Sequence, residues 1–245
     1  MKARSLLRSS GQPSPVRHGR RSQQRDRGVD SVDIEANLAD YLAARSPTDR
    51  YASFDYCFNY FQSYWEEERV AALACGAEME LSCLHLGFYL ASWGMYRGST
   101  VLLKRSSKYL EPVIEVIAAS PQEIWVVDAN DYSLKASTLI LNLDGLLRDA
   151  LPGQHASDAL VTKIMLGVYG CVPAFDQNFR KGSGLTTFGY RALHQLGRFC
   201  EENAEIIERH RVLTLDFASG EPTGRRYSRA KVIDMIYFVE GSHTA

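Results

Sequence analysis

Between Asp158 and Asp176 the chain carries a single charged side chain, Lys163. Its neighbours Leu160, Val161, Ile164, Met165, Leu166 and Val168 are all apolar, so the segment predicts a helix that other elements must cover. A lysine alone in such a run either snorkels its amine to water or occupies a site that uses a desolvated amine. The Leu151-Pro152-Gly153 turn precedes this helix, and Pro173 and Asp176 follow it.

The rest of the chain reads as helices punctuated by glycine and proline. Residues 32–44 form a short amphipathic helix stopped by Ser46-Pro47. In residues 51–70, Phe54, Phe58, Phe61 and Trp65 recur at helical spacing and mark a core-facing stripe, with Asp55, Gln62, Glu66 and Arg69 on the other sides. Residues 71–93 read as a second long helix, more completely buried because Glu78 and Glu80 are its only charges. Gly94 and Gly98 interrupt the pattern, and Ser99 is placed to cap a helix carrying Lys104, Arg105 and Lys108 up to Pro112. Residues 133–150 have helical periodicity, a short helix follows Pro173 as far as Gly182-Ser183-Gly184, and residues 188–209 form a long amphipathic helix. A turn or small hairpin around Gly220 to Gly224 leads to a closing apolar segment, residues 231–239. Without repeats or strand–helix alternation, the fold class is all-α or nearly so.

With 45% hydrophobic residues and 11% aromatics in 245 residues, the chain has material for a substantial core. Residues 1–29 carry eight Lys/Arg against Asp26 alone, so a net charge of −1 divides into a +7 tail and a −8 body. The tail is rich in Arg, Ser, Gly and Pro and is expected to be disordered; residues 30–245 are expected to form a single helical domain, with two subdomains as the finer alternative. The uncharged run from 81 to 96 is too short and too interrupted to span a membrane, and no secretory signal is present. Five scattered cysteines lack zinc-site spacing and read as reduced core thiols of a cytoplasmic protein, with no metal and no cofactor. A monomer is the expected state.

On a helix through Lys163, Ala159, Gly167 and Gly170 share its face and are small enough to leave space over the lysine stem. The alternative is that the glycines admit another helix at close range. Asp176, after Pro173, presents a carboxylate at the start of a new helix, where capping is its ordinary role.

Taken together, Leu151, Pro152, Gly153, Lys163, Pro173 and Asp176 resemble the site of the helix-hairpin-helix DNA glycosylases, particularly the 8-oxoguanine glycosylase branch. The chain departs from that pattern where Gln154 and His155 follow Gly153 directly, and it lacks the four-cysteine iron–sulfur motif of the cluster-bearing branch. The resemblance implies an all-α fold in which a flipped base of double-stranded DNA enters a cleft between two helical subdomains. Lys163 would attack the sugar C1′ and Asp176 would assist. Trp93, Tyr96 and Phe175 are candidates for the base pocket, and Gly153, Arg97, Lys104, Arg105, Arg180 and Lys181 for DNA binding. A third basic group comprises Arg225, Arg226, Arg229 and Lys231. The reaction expected is excision of a modified base, such as a modified cytosine of phage DNA, with or without strand-cleaving lyase activity.

Two other readings compete. Arg148 and His155, six residues apart, resemble the ribonuclease motif of HEPN domains, although Pro152-Gly153 lies between them. In a non-catalytic helical interaction module, Lys163 and Asp176 would be only a structural ion pair.

Overall fold

The computed structural model describes residues 32–98, 100–151 and 156–243. The tail, Ser99, Gly153 and His155, with the expectations attached to them, lie outside the described residues.

The segment around Lys163 is helix α6 (Asp158–Tyr169), and every residue from Leu160 to Tyr169 is buried. Ser157 caps it by accepting from the Leu160 amide, and Gly170 ends it in the left-handed conformation at φ 66°. Against it pack α2 (Ala52–Glu66), α3 (Gly76–Ser92) and α5 (Leu134–Asp149). Gly167 admits the Tyr89 ring of α3, since a Cβ there would lie 2.4 Å from Tyr89 Cε1. Gly170 is likewise filled, by Phe58 and Ser228. Neither glycine leaves open space over the lysine, contrary to the expectation from their spacing.

The remaining helices are α1 (Ile34–Ala43), α4 (Glu111–Ala118), α7 (Gln177–Ser183), α8 (Tyr190–Glu202), α9 (Ala204–Arg209) and α10 (Arg229–His243). Short 3-10 turns at Val70–Ala74, Val101–Lys104, Ser107–Leu110 and Gln122–Val126 connect some of them. Strands β1 (Leu213–Leu215) and β2 (Pro222–Arg226) form one antiparallel hairpin. The described residues from Val32 onward pack as one compact unit. No helix among them is long and apolar enough to cross a membrane.

Four expectations about the helices change. The long helix over 71–93 begins instead with the 3-10 turn at Val70–Ala74, and that over 188–209 breaks at Asn203 into α8 and α9. The 101–110 stretch contains only 3-10 turns. Nor is α3 buried all round, because Leu81, Leu84 and Phe88 are exposed.

Asp55 and Gln62, assigned by periodicity to the polar sides of α2, are also buried. Asp55 anchors the hairpin: its carboxylate accepts from Arg45 at 2.6 Å, Tyr227 Oη at 2.5 Å and the Leu215 amide at 3.1 Å. Burial pushes its carboxyl above the ordinary value, while Arg45 opposes the shift.

Helices α7 and α10 meet backbone to backbone. A Cβ on Gly182 would sit 2.2 Å from the Tyr237 carbonyl oxygen, and one on Gly241 would sit 1.8 Å from that of Asn178. Backbone cannot yield as a flexible side chain does, so Gly241→Ala is expected to destabilise the protein by about 3 kcal/mol in urea unfolding. A wild-type midpoint in that variant would refute the close packing.

His85 stacks on Tyr60 with ring centroids 4.0 Å apart, and burial holds its imidazole below the ordinary value. The unfolded chain therefore takes up this proton first. The His85 contribution is complete above about pH 6.5 and is lost as the pH falls through the folded-state value. Urea unfolding between about pH 6.5 and 5 should show His85→Gln losing less stability on acidification than wild type.

Candidate active site

Lys163 does not reach water. Its side chain is 2% exposed, and its Nζ donates to Asp176 Oδ2 at 2.7 Å. Asp176 uses its other oxygen, Oδ1, to cap α7 by accepting from the Phe179 amide at 3.0 Å. One carboxylate therefore joins two helices, its charge favourable both to the ammonium and to the helix N-terminus.

Asp176 also lines a cavity of about 740 Å³, together with Arg50, Trp93, Tyr96, Arg97 and Phe238. Lys163 is not part of that lining; it stands behind Asp176. Ala159, one turn before Lys163, does face the cavity, as its small size suggested. The space thus lies between the start of α7, the turn after α3, the loop residue Arg50 ahead of α2 and the face of α10, within one packed unit.

Three cations surround the Trp93 ring: Lys163 Nζ at 5.1 Å from its centroid, Lys231 Nζ at 5.4 Å and the Arg50 guanidinium carbon at 5.5 Å. Cations over an indole face are attracted by its quadrupole. Tyr51 and Phe238 meet the same ring edge-on. Trp93 is therefore a wall that gathers positive charge, more than an open stacking platform. Its indole Nε1 is buried without a hydrogen-bond partner among the described residues. Tyr96 lines the cavity beside it, and burial raises its phenol above the ordinary value, keeping it neutral at physiological pH.

The other predicted residues divide clearly. Phe175 is wholly buried against Phe179 and Phe188 and belongs to the core, not to the cavity wall. Arg97 lines the cavity and folds back over Gly94. Lys104 and Arg105 are exposed on the following turn, with Arg105 over the Tyr109 ring, and neither lines the cavity. Arg180 bridges to Asp158 at 3.2 Å, and Lys181 is exposed. Much of the third basic group is consumed internally: Arg225 pairs with Glu66, Arg229 with Asp128 and Glu208, and Lys231 with Asp234.

Sequence reading missed Arg50, Phe238 and the pair Lys231–Asp234. The last had a legible signal, because both charges stand in the apolar run from 230 to 239 just as Lys163 stands in its own. Arg50 had none, being an ordinary loop arginine until the fold brings it to Trp93.

A second cavity, of about 680 Å³, lies between α4 and α5 with Val116, Leu139, Leu143 and Leu146 in its wall. No lysine, arginine or histidine lines it. Among the described residues no group of three His, Cys, Asp or Glu is placed to hold a metal ion. No protein-family model matches the chain, and comparison with curated proteins and with solved structures also yields no match.

Removing either partner of the Lys163–Asp176 pair has unequal consequences. Asp176→Ala strands a buried ammonium and uncaps α7, for a cost of about 3–5 kcal/mol. Lys163→Met leaves a partly exposed carboxylate that still caps the helix. Urea unfolding should rank the wild type above Lys163→Met, and Lys163→Met above Asp176→Ala; the reverse order of the two variants would contradict this account of the pair.

Proposed function

We propose that the protein is a DNA glycosylase that flips a modified base out of double-stranded DNA into the Asp176 cavity and hydrolyses its bond to the sugar. The observation carrying this reading is a carboxylate, held by a buried lysine, at the wall of a cavity that also bears an aromatic phenol and two arginines. Extruding a base costs a few kcal/mol, and aromatic and hydrogen-bonding walls are what recover it. Tyr96 offers a stacking face, and Arg50 and Arg97 charges for the phosphates flanking the extruded nucleotide. Lys104, Arg105 and Lys181 extend the basic surface. The volume favours a bulky base, and a modified cytosine of phage DNA is the first substrate to test.

In this reading the C1′–N bond breaks with its electron pair leaving on the base. Asp176 stabilises the positive charge developing on the sugar and accepts a proton from the water whose oxygen bonds to C1′. The departing base takes its proton from solvent. Lys163 holds Asp176 in place from behind. Attack on C1′ by Lys163 itself would need a neutral amine turned out of its ion pair, so the geometry favours hydrolysis over the lyase route.

The ribonuclease alternative is less well supported. Arg148 is tied to Asp144 at 2.7 Å and Asp158 at 2.8 Å, and the helix that carries it, α5, ends at Asp149.

The deciding measurement is abasic-site formation across duplexes carrying different modified bases. The wild type should release one of them, and Asp176→Asn should slow release by about 100-fold or more. Borohydride should trap no covalent adduct; an adduct lost in Lys163→Ala would replace hydrolysis with the lyase version. No release from any duplex sinks the glycosylase reading and leaves the ion pair structural.

A further inference from the structure

A second lysine–aspartate pair lies behind the first. Lys231 and Asp234, one turn apart on α10, are joined at 2.9 Å and are both buried. Lys231 Nζ also donates to Tyr41 Oη at 2.9 Å. Burial, with Asp234 and Asp55 adding to it, raises the Tyr41 phenol well above its ordinary value, so the hydroxyl stays neutral and accepts from the ammonium. Asp234 spends its other oxygen outside α10: Oδ1 accepts from the Ala174 amide at 3.0 Å.

That last bond reaches the segment that delivers Asp176. The Ala174 carbonyl accepts from the Asp176 amide at 2.8 Å, and the intervening Phe175 amide donates to Thr162 Oγ1 of α6 at 2.8 Å. Residues 174–176 are thus held from both sides, by a hydroxyl on α6 and a carboxylate on α10. The two ammoniums, Lys163 and Lys231, also share the Trp93 ring.

Stability alone does not account for this arrangement. Apolar residues of similar volume in place of a buried ion pair are often neutral or stabilising. A charged pair whose free oxygen is aimed at another segment fixes that segment's position instead. We propose that Asp234 is a positioning residue whose Oδ1 sets where the Asp176 carboxylate stands at the cavity wall, with Lys231 balancing its buried charge. As far as it concerns base excision, the proposal rests on the glycosylase reading, but the placement of Asp176 has its own readout.

Two double variants of the full chain separate position from charge. K231M/D234L removes both charges and the acceptor for Ala174, whereas K231M/D234N removes the charges and keeps a carbonyl oxygen for that amide. Both avoid stranding one charge, and urea unfolding checks that both fold. Phe179 reports on Asp176 directly, because its amide bonds Asp176 Oδ1. Hydrogen exchange by NMR should show the Phe179 amide about tenfold less protected in K231M/D234L, relative to α10 amides in the same sample, and close to wild type in K231M/D234N. Base release should fall about 100-fold in the first and recover in the second, with affinity for the duplex unchanged in both. Phe179 protection unchanged in folded K231M/D234L, or equally lost in both variants, would overturn the proposal. If K231M/D234L does not fold, K231M/D234N carries the test by itself: a loss of Phe179 protection there would equally overturn it. Absence of base release in the wild type defeats the excision reading alone, since the exchange comparison needs no substrate.

Discussion

An ammonium that cannot reach water must have a counter-charge, and much of this structure follows from where Lys163 finds one. Helix α6 is covered by α2, α3 and α5, so the lysine has no route along its own stem to solvent. The nearest carboxylate is on the next helix. Asp176 meets three demands together: it neutralises Lys163, caps α7 and faces the cavity. Any change in the α6–α7 connection moves all three.

Around Trp93 this local electrostatics departs from the character of the whole chain. Lys163, Lys231, Arg50 and Arg97 outnumber Asp176 and Asp234, in a body that carries net negative charge outside its tail. Positive charge is concentrated at one concave place instead of spread over a basic face.

The platform beneath the site is stiff for a reason visible in the glycines. Gly182 and Gly241 let α7 and α10 touch through their backbones, so the helix that Asp176 caps is fixed against the helix bearing Lys231 and Asp234. Close packing of this kind leaves few alternative arrangements. The contrasting segment is the turn from Trp93 to Gly98, which is only partly buried and carries the aromatic and arginine faces of the cavity.

Helical class, the Phe54–Phe58–Phe61 stripe and the burial of the Lys163 segment were legible in the sequence, because they depend on periodicity and on the cost of exposing apolar runs. The singularity of Lys163 also pointed to a buried charge in need of a partner, which Asp176 supplies. Periodicity failed where a polar residue is buried by a partner far away in the chain: Asp55 looked solvent-facing, yet Arg45, Tyr227 and Leu215 enclose it. It failed too for Phe175, an aromatic beside a catalytic candidate that the core claimed. Only the tertiary structure brought Arg50 to the cavity of Asp176 and aimed Asp234 at Ala174. Those relations join residues tens to well over a hundred positions apart, and side-chain spacing along one helix carries no information about which distant loop will close over it.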